Sequence, residues 1–559
     1  MIALTLPHTG TVVGANDTDD AFGGYYFPLA NAVQSAMRLA VDDVNSLGSL
    51  LEGTLSLAML EVNSVVGAVE GLCEALQAVG ENGTYGVVAP LVSSQASALE
   101  VVSNGFFALP MMTPSGSAAR ATSYAVGGVG GTTGGSSFLF GIQPDIFEQM
   151  NALVRLILDM KMKRDTERGW YFTQERVFVL HTYDSYGAIA AAAFSRAARQ
   201  TIGINVGFNA AGHEDSTIDI VSLTSIPPSP LADFQAPLLK ALNGHASIMV
   251  LLTEGYDGEL VRKILSQARD VGMVNEHVQW YLNDVSVMDG VFTVNGTYHD
   301  SQLAYDMRGL MGVRACPPTQ GKRLGAQQAA NLTTKWGSLD GTVHPGAGPG
   351  TLTPDGRIDP LIAFTYDSVF AMAMAIGSVQ QTANNWGGEL NGFVGESCPF
   401  STEDMWEPGY AIRSAALDEE FTGVTGKITF ESSGYAITSG AGTAGTSWRK
   451  LNGTTFCALN LQAHASLGGT FVAIQEWRPD LEKDLNETDG FENISDFQKN
   501  QTYPSGASVY PFDRPTLRGR HLMVVTEAAA IPFVVLTGLP NNQTEYGGIT
   551  MDMLKASLF

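Results

Sequence analysis

Two rhythms of apolar residues alternate along residues 2–282: short solid runs, and longer stretches spaced by three and four. The run at 2–6 is solid and short, as a buried strand requires. Over 29–45, Val33, Met37, Ala40 and Val44 fall on one face at steps of four, three and four, which is helical spacing. Gly48 supplies a stop for that helix. Strand-like runs follow at 55–60, 86–89 and 109–112, separated by helical stretches at 68–79 and 94–105, and the Thr113-Pro114 turn closes the last run. The rhythm restarts at 146–160 (helix), 177–180 (strand) and 186–200 (helix). It continues at 248–252 (strand), 258–271 (helix) and 279–282 (strand). Repeated strand–helix units imply parallel sheets covered by helices on both faces, and two successive runs imply two doubly wound lobes.

Breaks in the pattern divide the chain further. Gly- and Pro-rich segments at 127–135, 344–356 and 439–447 read as surface loops. The first lacks a following helix and the Lys-Ser/Thr of a phosphate loop, so it is not read as a nucleotide site. Residues 480–519 turn polar and read as an interdomain linker. Beyond them, 521–536 (HLMVVTEAAAIPFVVL) is an apolar strand running into a Pro-Phe turn, and 546–554 (YGGITMDML) is a glycine pair leading into an amphipathic helix start.

Composition narrows the function. The chain has 559 residues, enough for two or three domains, and an ordinary hydrophobic fraction of 45%. Its net charge of −25 repels phosphate backbones and anionic lipid, which argues against a nucleic-acid partner and keeps the surface soluble. The nine histidines are scattered, with no His-x-x-x-His or Cys-x-x-Cys spacing, and no G-x-S-x-G elbow follows a strand. No catalytic residue, metal or cofactor is expected. No run approaches about 18 apolar residues, so no membrane span is expected here. No basic segment precedes the run at 2–6, so no secretory leader is read there. Glycan-acceptor patterns nevertheless occur at Asn16, Asn82, Asn295, Asn331, Asn452, Asn486, Asn493, Asn500 and Asn542, which favours a secreted surface. The four cysteines, Cys73, Cys316, Cys398 and Cys457, allow three pairings among which spacing does not choose.

Several segments carry a resemblance: AVDDVNSLG at 40–48, YDSYG at 183–187, GYDGELVRKILSQARDVGM at 255–273, AFTYDSVFAMAMAI at 363–376, FTGVTGKITFESSG at 421–434 and FVAIQEW at 471–477. In this order they resemble the type I periplasmic binding protein fold that forms the amino-terminal domain of glutamate-gated channels and class C receptors. The segment from 520 onward resembles the opening of the glutamate-binding domain of ionotropic glutamate receptors. The resemblance implies a bilobed α/β domain over 1–479, two doubly wound parallel-sheet lobes joined by a hinge. Lobe one takes about 1–143 and 285–395, lobe two about 144–284 and 396–479. A linker at 480–519 leads to the truncated start of a second domain at 520–559.

The same resemblance implies a small amino acid-like ligand held between the lobes. Ser93 and Ser94 in APLVSSQAS stand between a strand end and a helix start, where free N–H groups and the helix dipole favour an anion. They also read as plain caps, the commoner role of a serine pair before a helix. Ser115 and Ser117 in TPSGSA fall at the family's second hydroxyl cluster, or are simple turn residues. Tyr186 matches the family's ring position and Asp284 in YLNDVS its acid, against the plainer readings of a packed aromatic and a turn acid. DPLIAFTYD has Leu361 where glutamate-selective relatives carry a base, which leaves a distal carboxylate without a partner and points to an aliphatic or small ligand, or none. The resemblance also implies a Cys73–Cys316 disulfide with Cys398 and Cys457 left to each other, homo- or hetero-oligomers through the lobe-one helices 29–45 and 68–79, and attachment to the cell membrane, extracellular side, through segments outside this sequence. Expected functions are thus the sensing region of an ionotropic glutamate receptor-like channel, a class C G-protein-coupled receptor head, or a soluble amino-acid-binding protein.

Overall fold

The computed structural model describes residues 2–5, 30–51, 53–62, 65–79, 83–88, 92–115, 138–168, 175–204, 218–244, 246–254, 258–275, 278–287, 289–294, 298–318, 324–353, 356–385, 390–394, 406–433, 446–449, 454–464, 468–477, 492–493, 535–538 and 544–547. The chain divides into two compact units, Met1–Ser508 and Val509–Phe559. The division falls inside the expected linker.

The first unit starts with β1 (Ile2–Thr5), α1 (Ala30–Leu47), β2 (Ala58–Glu61), α2 (Val65–Val79), β3 (Val87–Val88), α3 (Ser93–Val102), β4 (Met111–Thr113) and β5 (Leu139–Gly141). It crosses into a second sheet through α4 (Ile146–Arg168), β6 (Glu175–Thr182), α5 (Ser185–Ile204), β7 (Ile218–Ile226), α6 (Gln235–Asn243) and β8 (Ile248–Leu252). There it continues with α7 (Glu259–Asp270), β9 (Gln279–Leu282), the small pair β10 (Thr293–Val294) and β11 (Tyr298–His299), α8 (Ser301–Asp306) and β12 (Met311–Cys316). It returns through α9 (Ala326–Gly337), α10 (Pro360–Asn385), α11 (Glu407–Asp418), β13 (Glu420–Gly423), β14 (Gly426–Ser433) and β15 (Thr446–Arg449). It finishes in the second sheet with β16 (Thr455–His464), β17 (Gly468–Trp477) and β18 (Glu492–Asn493).

Each sheet has eight described strands. The first runs β2-β1-β3-β4-β5-β15-β14-β13, parallel through β15 and antiparallel beyond it. The second runs β7-β6-β8-β9-β12-β16-β17-β18, parallel through β12 and antiparallel beyond it. The two parallel cores share one doubly wound order, as the sequence rhythm implied. Helix cover on both faces explains why the β8 run IMVLL is buried at every position. On α7, Leu260, Val261, Ile264, Leu265 and Ala268 face the core at helical spacing, while charged residues take the other side. Among the described helices, α10 alone is long and apolar enough to cross a membrane, yet 72% of its apolar window is buried inside the fold. It is a core helix packed against α1, α11 and β4. Trp336 of α9, fully buried, joins Ala36, Leu39, Ile362 and Val424 in the cluster that seals this side of lobe one.

Three of the family-like segments owe their residues to this packing. In AVDDVNSLG, Asp43 accepts from Tyr366 Oη at 2.8 Å and pairs with Lys335, so α1 is tied to both α10 and α9. Burial and Asp43 hold the Tyr366 hydroxyl well above the ordinary range, so it stays a donor. Asn45 exchanges two hydrogen bonds with the backbone of Leu55, at 2.7 and 2.9 Å. In AFTYDS, buried Asp367 accepts from Val424 N–H, Thr425 N–H and Thr425 Oγ1 at 2.7–2.9 Å, clamping the turn of the β13–β14 hairpin in FTGVTG. Gly426 closes that turn at φ +104, a region open to glycine.

The sheets correct the expected lobe boundaries. β12 (311–316) was placed with lobe one, but it pairs with β9 and β16 and belongs to lobe two. β13–β15 (420–449) were placed with lobe two, but β15 pairs with β5 and they belong to lobe one. The chain therefore crosses between lobes at 141–146, 316–326 and 449–455. Glu492 and Asn493, inside the expected linker, form an edge strand on β17.

The disulfide pairing is corrected too. Cys316 bonds Cys457, not Cys73, because β12 and β16 run antiparallel with Arg314 opposite Cys457 and Cys316 opposite Thr455. Cys73 is also disulfide-bonded. Cys398 lies outside the described residues.

In the second unit, β19 (Val535–Gly538) and β20 (Thr544–Gly547) form an antiparallel hairpin with Leu536 opposite Tyr546. In sequence the expected Pro-Phe turn precedes this hairpin and the glycine pair begins at its last residue, while its strands take in Thr537, Gly538, Thr544 and Glu545. The expected strand over 521–534 and the helix start beyond 547 lie outside the described residues.

Candidate functional site

In doubly wound sheets the crevice forms at the carboxyl ends of the strands, where the strand order reverses. Here the reversals fall between β1 and β3 in lobe one and between β6 and β8 in lobe two. Residues just past β3 open α3, and residues just past β6 and β8 form two corners opposite it. α3 packs directly against α5 of the other lobe, so the cleft is closed.

Ser93 is the first residue of α3 and is fully buried. Val92 provides no side-chain cap, and the first turn holds no acid. The Ser93 N–H instead donates to Glu254 Oε1 at 2.7 Å, across the cleft. Glu254 follows β8 and is half-buried. Burial pushes its carboxyl up to about 8, the Ser93 donors oppose that, and the neighbouring Asp184 carboxylate adds to it. Asp184 caps α5, accepting from Gly187 N–H at 2.7 Å and Thr182 Oγ1 at 3.0 Å. Burial raises Asp184 as well, against those hydrogen bonds and the pull of His181. Gly187 is glycine because a Cβ there would collide with the Thr182 backbone oxygen, which explains the YDSYG corner.

Ser94, one residue on, has a buried Oγ with no hydrogen-bond partner among the described residues. Ser115 is 3% exposed, just past β4, and Ser117 lies outside the described residues. Tyr186 is 1% exposed, and its hydroxyl accepts from Asn283 Nδ2 at 2.8 Å. Asn283 also bonds Thr253 through both its amide atoms and accepts from Ser286 Oγ. Tyr186 is therefore packed beneath the carboxyl ends of β8 and β9, bracing them.

Asp284 is 3% exposed and sits at the hinge. Gln143, on the first crossover, donates to one oxygen, and Arg314 of β12 approaches the other at 3.4 Å. Arg314 also grips Asp359 with two bonds of 3.0 Å, and Asp359 accepts from Leu361 N–H near the start of α10. Burial drives Asp284 up to about 7, Arg314 pulling it down and Asp359 pushing it up. Leu361 itself is buried.

Ser93 and Ser94 thus stand at the cleft, while Tyr186 and Asp284 lie behind it in the lobe-two core and the hinge. Glu254 was missed in the sequence, one residue before a segment singled out for its resemblance. An acid two residues past the end of a solid apolar strand is the signal that could have found it. Asn331 is exposed on α9 and Asn493 lies in β18. The other acceptor asparagines lie outside the described residues. Among the described residues no group of three acids, histidines or cysteines could hold a metal.

The family model for the receptor family ligand binding region matches residues 32–439. No curated protein matches the chain significantly. The matched region takes in most of both lobes and the cleft between them, and it is more than half of the chain. With its two parallel-dominated sheets facing each other across a hinge, the chain belongs to the receptor family that shares this ligand binding region.

Proposed function

We propose that this protein is the extracellular sensing region of an ionotropic glutamate receptor-like channel. It takes a small amino acid-like ligand between the lobes and signals by lobe closure. It binds rather than catalyses. Of the glycan acceptors, Asn331 is exposed on α9, as this reading requires, and paired copies meet through α1 and α2 of lobe one. Membrane attachment comes from segments outside this sequence.

The observation that carries the channel reading is the segment from 520 onward, which follows a receptor ligand-binding region and resembles the opening of a glutamate-binding domain. A class C receptor head gives no account of that segment, and a soluble binding protein has no use for it. Reading the transcript beyond codon 559 separates the three. Three spans with a re-entrant pore segment and a second half-domain are expected. Seven spans, or an immediate stop, would overturn the channel reading.

The binding reading has its own test. Calorimetry with a panel of amino acids is expected to find at least one binder, an aliphatic or small one given Leu361. Ser94→Ala is expected to weaken it about five- to tenfold, the loss of one hydrogen bond. Absence of binding across the panel at millimolar ligand would sink the reading, and unchanged affinity in the variant would move the site away from α3.

A further inference from the structure

The carboxyl group found at the start of α3 comes from the protein itself. Val92 gives α3 no side-chain cap, and Ser93 offers both its N–H and its hydroxyl to Glu254. The two residues stand at the reversal points of opposite sheets, where a ligand would otherwise bridge the lobes. The contact therefore does, within one chain, what a bound carboxylate would do between lobes. The groups acting on Glu254 are Ser93 from α3 and Asp184 from the β6–α5 corner, and His181 faces Asp184 in turn. Among the described residues no cation acts on Glu254.

We propose that Glu254 is an interlobe latch, a tethered carboxyl that seats on the first turn of α3, holds the cleft closed without ligand, and releases it when it loses its proton.

The direction follows from burial. In the closed cleft the carboxyl is pushed up to about 8, against an ordinary value of 4.5. Opening the lobes returns it to water, so the closed form binds the proton more tightly. Proton linkage then favours closure fully below the ordinary value, and that contribution is lost as pH rises through about 8. Above that pH, closing must bury an ionised carboxylate beside Asp184, a cost that the Ser93 donors and the α3 dipole offset only in part. With the cleft as the ligand site, as proposed above, a ligand carboxylate arriving at Ser93 has to displace this group.

Electron spin distances between the lobes test the latch. Val343, in the lobe-one loop between α9 and α10, and Leu231, in the loop between β7 and α6, are exposed at 64% and 94%, and carry the labels after Val343→Cys and Leu231→Cys. The protein with native Glu254 is expected to show one short distance at pH 6 and a second, longer one at pH 9, with no ligand present. Glu254→Gln, which keeps the shape of the protonated acid and cannot ionise, is expected to stay short at both. Ser93→Pro removes the N–H donor at a helix position where proline is well tolerated, and is expected to open already at pH 6. Identical distances at pH 6 and pH 9 with native Glu254, opening of Glu254→Gln at pH 9, or a closed Ser93→Pro would each overturn the latch. Because no ligand enters the experiment, its failure leaves the binding reading standing, and failure of calorimetry leaves the latch standing.

Discussion

Asp367 lies on the apolar helix α10 at 1% exposure, yet three donors from the β13–β14 turn converge on its carboxylate. Asp367→Asn keeps the size and turns one acceptor into a donor facing another donor. Leaving such a group unsatisfied in the core costs about 1–3 kcal/mol, more where charge is involved. We expect the variant to lose about 3 kcal/mol in urea unfolding, and a loss under 0.5 kcal/mol would refute the clamp. Arg314 carries a larger share. Arg314→Met strands Asp284 and Asp359 as buried carboxylates, an arrangement that costs about 3–5 kcal/mol. Because Asp284 sits at about 7 when folded, the stability it contributes is present below its ordinary value and fades as pH rises through 7. The loss in Arg314→Met should therefore be smaller at pH 5 than at pH 8, which urea titration at both values will read. Sequence alone marked Asp367 only as a member of a familiar string, and read Asp284 as a ligand acid or a turn acid rather than a hinge group. Their partners lie 57 and 141 residues away, and nothing local announces a contact at that separation.

At the scale of elements, the corner after β6 leaves no room for a side chain at Gly187. Gly187→Ala must push the Thr182 carbonyl aside and disturb the Asp184 cap on α5. Overpacking of this kind costs about 1–3 kcal/mol, and thermal unfolding should show it. The steps of three and four along α1 and α7 were legible because each helix buries one stripe. α10 was not, because a helix enclosed on most sides shows no stripe. β7 was missed for the opposite reason. It is an edge strand with half-buried Ser222 and Thr224 and an exposed Leu223, so it makes no solid apolar run.

For the whole molecule, the hinge is where sequence order and spatial order part company. Gln143, Arg314 and Cys457 sit on or beside three different crossovers, and the Cys316–Cys457 bond staples two of them. The bond closes a span of 141 residues, nominally worth about 5 kcal/mol through the entropy of the unfolded chain. Replacing both cysteines by alanine should lower the unfolding midpoint accordingly, and a shift within error would assign the hinge's strength to Arg314 instead.

Lobe one is assembled from two distant stretches of chain, with β6–β12 of lobe two inserted between them. On the ribosome, β5 emerges with one edge bare and must wait roughly 300 residues for β15 to cover it. At about 5–20 residues per second that is an interval of roughly 15–60 s. A bare parallel edge is a template for joining the wrong chain. A nascent or truncated polypeptide that ends before residue 446 should therefore be found in inclusion bodies or held by chaperones, while one that reaches residue 508 should leave them.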